Sequence, residues 1–317
     1  MDDPETDAFK RLDLRQYSAS LGYFIDKREC WKGSAVLRHA NGDKVVVSRN
    51  SEGKFVYYSF RDERDNGTIF DFIGKRKGLN FGEIRRELRL WAGTPPPLPP
   101  LPDLRATKKD VADVQKRFAG MKIAAGHPYL EQVRHIPASV LQHWRFQGLI
   151  RIDHHGNACF AHTDARGSLC GYEMRNFRYR GYASGATKAT FLSNSGPDDR
   201  RLVICESAID CLSHFLLFDD PLARFVSLAG KPTPAQVGLL KIAMERMPEG
   251  SEIVAATDAD EAGEQFAALI QETLGKCGRT DLAFRRDRPI GGKDFNEILS
   301  HKTPLPVRAN KPEAHPA

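Results

Sequence analysis

The clearest pattern along this chain lies in its last third, where short apolar runs alternate with segments of helical spacing. The β-favouring runs are residues 202–205, 224–228, 252–257 and 282–285, and the helical patterns are residues 209–217, 234–247 and 262–274. Strands that alternate with helices predict a parallel sheet covered by helices on both faces. The fold class predicted for residues 201–300 is therefore α/β.

The first region, residues 1–93, has the pattern of a small α+β domain. It combines helical spacing with short strand-like runs, at 8–21 for the first helix, 36–39, 44–48 and 54–60 for the strands, and 69–76 and 81–90 for two further helices. Thr68 with Asp71, and Asn80 with Glu83, have the spacing of capping boxes at the last two helix starts.

A proline-rich stretch, residues 94–103, separates this region from the rest and predicts an extended linker. Residues 104–200 begin with helical patterns at 108–118 and 137–143 and continue with strand-like runs at 158–163 and 169–175. They are expected to form a basic α+β subdomain. Residues 301–317 contain several prolines and are expected to be a disordered tail.

Composition and charge narrow the class of protein. The 317 residues are 41% hydrophobic and 28% charged, as in ordinary globular proteins, and the six cysteines include no Cys-x-x-Cys pair. No run approaches the ~20 apolar residues of a membrane span, and the acidic first residues do not resemble a signal peptide. We expect a cytoplasmic protein without a membrane segment. Positive charges exceed negative ones by seven in residues 104–200, and negative charges exceed positive ones by three in residues 201–317. This distribution suits a nucleic-acid backbone that is bridged by metal ions to the acidic part.

Acidic residues follow two of the predicted buried strands. Glu206 follows Leu-Val-Ile-Cys, and Asp258 and Asp260 follow Ile-Val-Ala-Ala-Thr. In an extended strand, residues i and i+2 point to the same side, so Asp258 and Asp260 are expected to converge on one cation. Asp210, four residues after Glu206, either completes the cluster or orients it. Carboxylates are the ligands that Mg²⁺ and Mn²⁺ prefer. The alternative is that these acids only cap ordinary helices.

These motifs resemble the Toprim domain of bacterial-type primases, topoisomerases and some nucleases. The resemblance rests on Glu206…Asp210 and Asp258-Ala-Asp260-Glu-Ala-Gly263, with Ser227-Leu-Ala-Gly230 between them and Lys293-Asp294-Phe-Asn-Glu after them. It implies that Glu206 acts as the acid/base residue and that Asp258 and Asp260 bind metal. Two positions depart from the usual pattern: Ser207 replaces a glycine, and Lys231 replaces the threonine usual in primases.

The middle region resembles the basic subdomain of the same primases. By this resemblance, Arg175 and Lys188 are catalytic and bind the phosphates of a nucleoside triphosphate or template. Both suit that role, since arginine makes bidentate contacts and lysine a point-charge contact. The residues expected to bind nucleic acid are Arg175, Arg178, Arg180, Lys188, Lys231 and Lys293. The aromatic residues interleaved at Phe177, Tyr179 and Tyr182 either stack single-stranded bases or are half-exposed strand residues. A solvated basic hairpin without a ligand is the simpler alternative.

Residues 120–299 together resemble plasmid and mobile-element proteins that carry an uncharacterised domain ahead of a Toprim core. Residues 1–93 resemble the zinc-binding module of bacterial primases, but the positions of its Cys-x-x-Cys pair read Tyr58-Ser-Phe60-Arg-Asp-Glu. We therefore expect no zinc there. A second combination, His154-His155 with Cys159, His162 and Cys170, is read as ordinary strand and turn residues. Docking of template through Arg61, Arg64 and Lys75-Arg76-Lys77 and a purely structural role both remain open for the first domain.

The resemblance implies a primase-like nucleotidyltransferase that uses Mg²⁺ or Mn²⁺, with single-stranded DNA and nucleoside triphosphates as substrates. A 3′ hydroxyl would attack the α-phosphate of the incoming nucleotide. The sequence shows no Gly-x₄-Gly-Lys-Ser/Thr motif, so a separate helicase, relaxase or replication protein is the expected partner. Two alternatives remain open: a metal-dependent nuclease with the same centre, and a catalytically silent nucleic-acid-binding accessory protein.

Overall fold

The computed structural model describes residues 3–30, 32–62, 65–93, 104–105, 108–177, 179–230 and 232–302. The chain divides into two compact units, Met1–Asp110 and Val111–Ala317. The predicted linker at 94–103 and residues 303–317 of the predicted tail lie outside the described residues. Within the described ranges, no helix combines the length and the apolar character that a membrane crossing requires.

The first unit places helices against one antiparallel sheet. Its elements are α1 (Pro4–Lys10), α2 (Leu14–Ser20), β1 (Phe24–Ile25), β2 (Ser34–Arg38), β3 (Lys44–Arg49), β4 (Phe55–Ser59), β5 (Asn66–Gly67), α3 (Ile69–Lys77) and α4 (Phe81–Gly93). The strands lie in sequence order. The single helix predicted at 8–21 is wrong, because the Asp13 carboxylate accepts a hydrogen bond from the Arg15 N–H and starts a second helix there.

The two capping boxes of this unit are confirmed. The Thr68 N–H donates to the Asp71 carboxylate over 2.8 Å at the start of α3. At the start of α4, the Asn80 N–H donates to Glu83 and the Glu83 N–H donates to Asn80, over 2.8 and 3.1 Å. Each pair satisfies N–H groups that a helix start leaves without an intrahelical acceptor.

The second unit begins with a second antiparallel sheet. Its elements are α5 (Val111–Ala119), β6 (Lys122–Ile123), α6 (Pro128–Gln132), α7 (Ala138–Gln142), β7 (Ile150–Ile152), β8 (Ala158–Thr163), β9 (Leu169–Arg175) and β10 (Arg180–Tyr182). The strand order is β10-β9-β8-β7-β6. The sequence predicted α5, α7, β8 and β9, whereas the short elements α6, β6, β7 and β10 escaped prediction.

The last third contains the predicted parallel sheet. Its elements are β11 (Phe191–Leu192), β12 (Arg201–Cys205), α8 (Ala208–Phe218), β13 (Ala223–Ser227), α9 (Pro234–Glu245), β14 (Glu252–Ala255), α10 (Glu261–Gly275), β15 (Ala283–Arg286) and α11 (Phe295–Lys302). The order is β11-β13-β12-β14-β15, with β11 antiparallel to β13 and the other neighbouring pairs parallel.

Alternation along β12 explains how this sheet buries both of its faces. Val203 and Cys205 pack in the hydrophobic cluster that contains residues of α8 and α11. Leu202 and Ile204 pack in the cluster that contains residues of α9 and α10. Successive side chains of a strand point to opposite faces, so both faces need a helical cover. The predicted α/β class, with a parallel sheet between two helical layers, is confirmed.

Candidate active site

The two acidic motifs meet at one end of the parallel sheet. β12 and β14 are neighbours in parallel register, with Ile204 opposite Ala255, and Glu206 and Asp258 follow these strands. An Oε1 atom of Glu206 accepts a hydrogen bond from the Asp258 N–H over 3.2 Å. In open α/β sheets, the carboxyl ends of the strands are the usual place for a ligand.

Asp258 and Asp260 do not lie within a strand, so the predicted two-residue alternation is wrong as a description of their geometry. β14 ends at Ala255, and both residues belong to the segment between this strand and α10. Asp260 is the N-cap of α10, and its Oδ1 accepts from the Gly263 N–H over 2.9 Å. The strand ends early because the chain must turn into the helix. Helix capping, which the sequence left as the alternative, is therefore a feature of Asp260.

Asp210 lies in the first turn of α8 and pairs with Ser207. The Ser207 hydroxyl donates to the Asp210 carboxylate over 2.6 Å and accepts from the Asp210 N–H over 3.3 Å. Ser207 is thus the N-cap of this helix. This contact gives a physical reason for a serine at the position where the Toprim pattern usually has glycine.

The donor chemistry of this end of the sheet suits a divalent cation, because Glu206, Asp258 and Asp260 all supply carboxylate oxygens. Glu206 and Asp258 are held together by the hydrogen bond described above. Among the residues that the structure describes, however, no group of three or more His, Cys, Asp or Glu side chains is arranged to hold a metal ion. The predicted four-residue ligand set of Glu206, Asp210, Asp258 and Asp260 stays a prediction.

Gly263 brings the start of α10 against the acidic segment. A Cβ atom built on Gly263 would lie 2.1 Å from the carbonyl oxygen of Asp258, which no side chain tolerates. The Thr257 hydroxyl also donates to the Gly263 carbonyl over 2.6 Å. The glycine of the motif is therefore required by close approach between helix and loop.

Two arginines that the sequence did not predict as site residues hold the acidic segment through its main-chain carbonyls. Arg286, the last residue of β15, donates to the main-chain carbonyls of Ala255, Thr257 and Asp258 over 2.9 to 3.1 Å. Arg288 donates to the Ala259 carbonyl over 2.9 Å. No local pattern signals such contacts, since every residue carries a carbonyl.

The lysine-aspartate segment reaches the acidic loop through its backbone. The Ala259 N–H donates to the carbonyl of Lys293 over 2.7 Å. The Lys293 ammonium is exposed and lies 3.8 Å from the Asp294 carboxylate. The predicted phosphate-binding role of this ammonium stays a prediction, while the backbone contact gives the segment a positioning role.

A turn after β13 connects Glu206 with the basic region. Ala229 and Gly230 both have positive φ, 54° and 93°, and the Gly230 N–H donates to the Glu206 carbonyl over 3.4 Å. The buried Gln236 amide donates to the carbonyls of Ala189 and Leu228, over 2.7 Å each. Gln236 thereby fixes the loop that follows Lys188 to this turn. Lys231 lies outside the described residues.

The structure places the predicted basic residues in different environments. Arg175 is buried, and its Nε donates to the Glu173 carboxylate over 2.7 Å. Arg180 approaches the turn after β13, with an Nη atom 3.8 Å from where a Cβ on Gly230 would be. Lys188 is exposed, yet desolvation by nearby protein atoms lowers the pKa of its ammonium, against the opposing effect of Glu173. Arg178 lies outside the described residues. The phosphate-binding roles of these residues stay predictions.

Comparison with protein families gives two matches in this part of the chain. Residues 203–299 match a family described as Toprim-like. Residues 128–197 match a family described as a protein of unknown function, DUF3991. Comparison with curated proteins gives no match.

Similar solved structures include three primases. The primase fragment of the bacteriophage T7 primase-helicase is 18% identical, with 81% of this chain and 89% of the other covered at a TM-score of 0.38. The Aquifex aeolicus primase, with its zinc-binding and RNA polymerase domains, is 13% identical, with 95% and 83% covered at 0.40. The E. coli primase catalytic core is 15% identical, with 60% and 65% covered at 0.32. The resemblance read from the acidic motifs is confirmed for residues 203–299 by their match to the Toprim-like family.

Proposed function

We propose that this protein is a primase-like nucleotidyltransferase that synthesises primers on single-stranded DNA with Mg²⁺ or Mn²⁺. The substrates in this proposal are the template strand and nucleoside triphosphates. The proposal includes a plasmid or mobile-element context and a separate helicase, relaxase or replication protein as partner, as the sequence resemblance suggests.

The observation that carries the proposal is the hydrogen bond between Glu206 and the Asp258 N–H. Its 3.2 Å length means that two motifs 52 residues apart share one end of the sheet. Had Glu206 belonged to an unrelated helix start, its carboxylate would not need to reach the main chain of the segment that carries Asp258 and Asp260. A shared position is what a site for one cation and its phosphate ligands needs.

Under this proposal, Glu206, Asp258 and Asp260 would hold the divalent metal. When bound, such ions stabilise negative charge on the attacking and leaving oxygens of phosphoryl transfer. The protein's own part is to orient and to neutralise charge. Arg286 and Arg288 fix the path of the acidic segment through its carbonyls. Arg180 and Lys188 add positive charge for the phosphates near the turn after β13.

The test is incubation of the full chain with single-stranded template, labelled nucleotides and Mg²⁺ or Mn²⁺. We expect labelled oligonucleotides, and we expect Asp258→Asn to reduce their yield at least ~100-fold because it removes a carboxylate that would hold the metal, and the metal stabilises transition-state charge. Glu272→Gln is the matched control, since Glu272 is exposed in the last part of α10 and pairs with Lys276. It should leave the yield unchanged.

Other products would redirect the assignment. Shortened template without primers would indicate a nuclease with the same centre. Retarded but unchanged DNA would indicate a binding protein. Primer synthesis at the wild-type rate by Asp258→Asn would contradict the proposed site.

A further inference from the structure

The tip of the hairpin between β9 and β10 presents aromatic side chains to solvent. The hairpin is closed by the Asn176 N–H, which donates to the Tyr179 carbonyl over 2.8 Å, and the Asn176 side chain accepts from the Phe177 N–H over 2.7 Å. Phe177 is 53% exposed and Tyr179 is 37% exposed. Exposed rings at a hydrogen-bonded turn are available for contact with a ligand.

Tyr182, the third aromatic residue of this stretch, is used differently. Its hydroxyl donates to the Thr187 carbonyl over 3.3 Å, and its ring makes a T-shaped contact with His162. Burial raises the pKa of this phenol well above its ordinary value. Tyr182 is therefore half-buried and packed against the body of the protein. This contrast separates the alternatives that the sequence left open, because packing accounts for Tyr182 but leaves half of Phe177 uncovered.

The Phe177 ring is held in place on one side. It makes a T-shaped contact with the Tyr129 ring of α6, with 5.7 Å between centroids. A ring that is partly fixed loses less conformational entropy on stacking than a freely rotating one. Phe177 thus has the combination of exposure and pre-orientation that a stacking platform requires.

The root of this hairpin adjoins the candidate active site. Arg180, the first residue of β10, approaches Gly230, whose N–H donates to the Glu206 carbonyl. The tip, which carries the rings of Phe177 and Tyr179, lies next to this cation in the chain. Positive charge with interleaved rings matches a single strand, which offers phosphates and unpaired bases together.

We propose that the β9–β10 tip is a base-stacking subsite for single-stranded nucleic acid, with Phe177 as its principal platform. The occupant is an unpaired base of the strand that leads to the acidic end of the parallel sheet. This inference rests on the proposed function for the identity of that strand. It adds contacts to bases, whereas the proposed function invokes contacts to phosphates.

The test is equilibrium binding of the full chain to a labelled single-stranded oligonucleotide, measured by fluorescence anisotropy without metal or nucleotides. An abasic oligonucleotide of equal length keeps the phosphates and removes the bases. Phe177→Ala should weaken binding to the ordinary strand by roughly 5- to 150-fold, the range for loss of one stacked base, and leave binding to the abasic strand unchanged. Phe177→Tyr should retain the wild-type affinity, and Phe177→Leu should lose it.

Phe218→Ala is the matched control. Phe218 is also 53% exposed and also contacts neighbouring rings, those of His214 and Phe295. It ends α8, whose first residues lie beside Glu206, so its Cα is ~15 Å further along the helix axis. This variant should bind both strands as the wild type does.

Equal affinity of Phe177→Ala and the wild type for the ordinary strand would overturn the inference. So would an equal loss on the abasic strand, or a change of oligomeric state in Phe177→Ala, which would assign the ring to a contact between proteins. These outcomes are separable from failure of the proposed function, because the binding assay needs no catalysis. If the wild type makes no primers while Phe177→Ala still loses base-dependent binding, the proposed function is contradicted and the subsite is supported.

Discussion

Two largely buried arginines, one in each unit, bind several partners each but serve opposite purposes. In the first unit, Arg76 contacts side chains: the carboxylates of Asp65 and Asp43 over 2.6 and 2.9 Å, and the Tyr23 hydroxyl over 3.1 Å. In the second unit, Arg286 contacts mainly backbone, through the carbonyls of residues 255, 257 and 258.

The Arg76 cluster joins separate parts of the first unit. Asp43 lies in the turn between β2 and β3, Asp65 precedes β5, and Arg76 lies in α3. The Tyr57 hydroxyl donates to Asp65 over 2.5 Å, and the Arg76 guanidinium lies over the Phe72 ring at 4.3 Å. Because its charge is matched by carboxylates, Arg76 is a poor candidate for the template docking predicted for Lys75-Arg76-Lys77. Its environment indicates a structural role.

In the Arg286 cluster, the guanidinium instead contacts carbonyl oxygens of the main chain. Carbonyl oxygens carry partial charges, so they do not neutralise the guanidinium as a carboxylate does. The positive charge of Arg286 therefore remains close to the segment that carries Asp258. Its contact with the Glu264 carboxylate, over 3.0 Å, is solvent-exposed and weak. The charge of its partners therefore indicates whether an arginine stabilises the fold or contributes to the candidate site.

The largest expected effect comes from breaking the first cluster. Arg76→Met leaves two carboxylates largely buried without their cation, which should lower the free energy of unfolding of the first unit by about 3 kcal/mol. Hydrogen exchange of the β2 to β4 amides measures this change. Arg61→Met is the control, because Arg61 is exposed and makes a long contact of 3.4 Å with the Asn41 carbonyl. Unchanged exchange in Arg76→Met would contradict the structural role.

Breaking the second cluster should affect stability less and activity more. Arg286→Met leaves the neutral carbonyls that Arg286 binds without their donor. It should lower the free energy of unfolding by about 2 kcal/mol and release the acidic segment. We expect the rate of metal-dependent primer synthesis to fall at least ~10-fold, since small misplacements of reacting groups are costly. Thermal unfolding and primer assays on the same preparation measure both quantities. Arg288→Met, at a side chain that is 58% exposed, should change stability by less than ~0.5 kcal/mol. A larger activity loss in Arg288→Met than in Arg286→Met would contradict this ranking.

The sequence predicted the acidic end of the sheet because its signals are local. Each run of buried residues that ends in Glu206 or Asp258 identifies a strand end, and parallel strands bring such ends together. The same reasoning overextended β14, since residues 256 and 257 are apolar or β-branched but already belong to the turn into α10. The break between α1 and α2 did have a signal, in the Asp13 cap before Leu14.

The contacts that hold the site were beyond sequence reasoning. Gln236 has the spacing of a capping box with Thr233, and its Oε1 does accept from the Thr233 N–H over 3.2 Å. Nothing in that spacing indicates that its amide N–H groups reach Ala189 and Leu228. Likewise, the sequence of β15 shows arginines without showing their acceptors. Long-range contacts to carbonyls depend on tertiary packing, and no local pattern in a single sequence indicates that packing.

The smallest expected effect is a difference in acid sensitivity between the two clusters. Burial raises the pKa of Asp43, but the hydrogen bond from Tyr23 and the charge of Arg76 outweigh it, so its pKa lies below the ordinary value. A carboxyl with a depressed pKa in the folded state contributes stability above its unfolded value of about 3.9 and loses it as the pH falls through the folded value. The loss of unfolding free energy caused by Arg76→Met should therefore be smaller at pH 3 than at pH 6, because a protonated Asp43 no longer needs a cation. Carbonyls do not titrate in this range, so the loss of unfolding free energy caused by Arg286→Met should stay nearly constant.

Unfolding of both variants and the wild type at the two pH values measures this contrast. An equal pH dependence of the two losses would remove the distinction between the clusters.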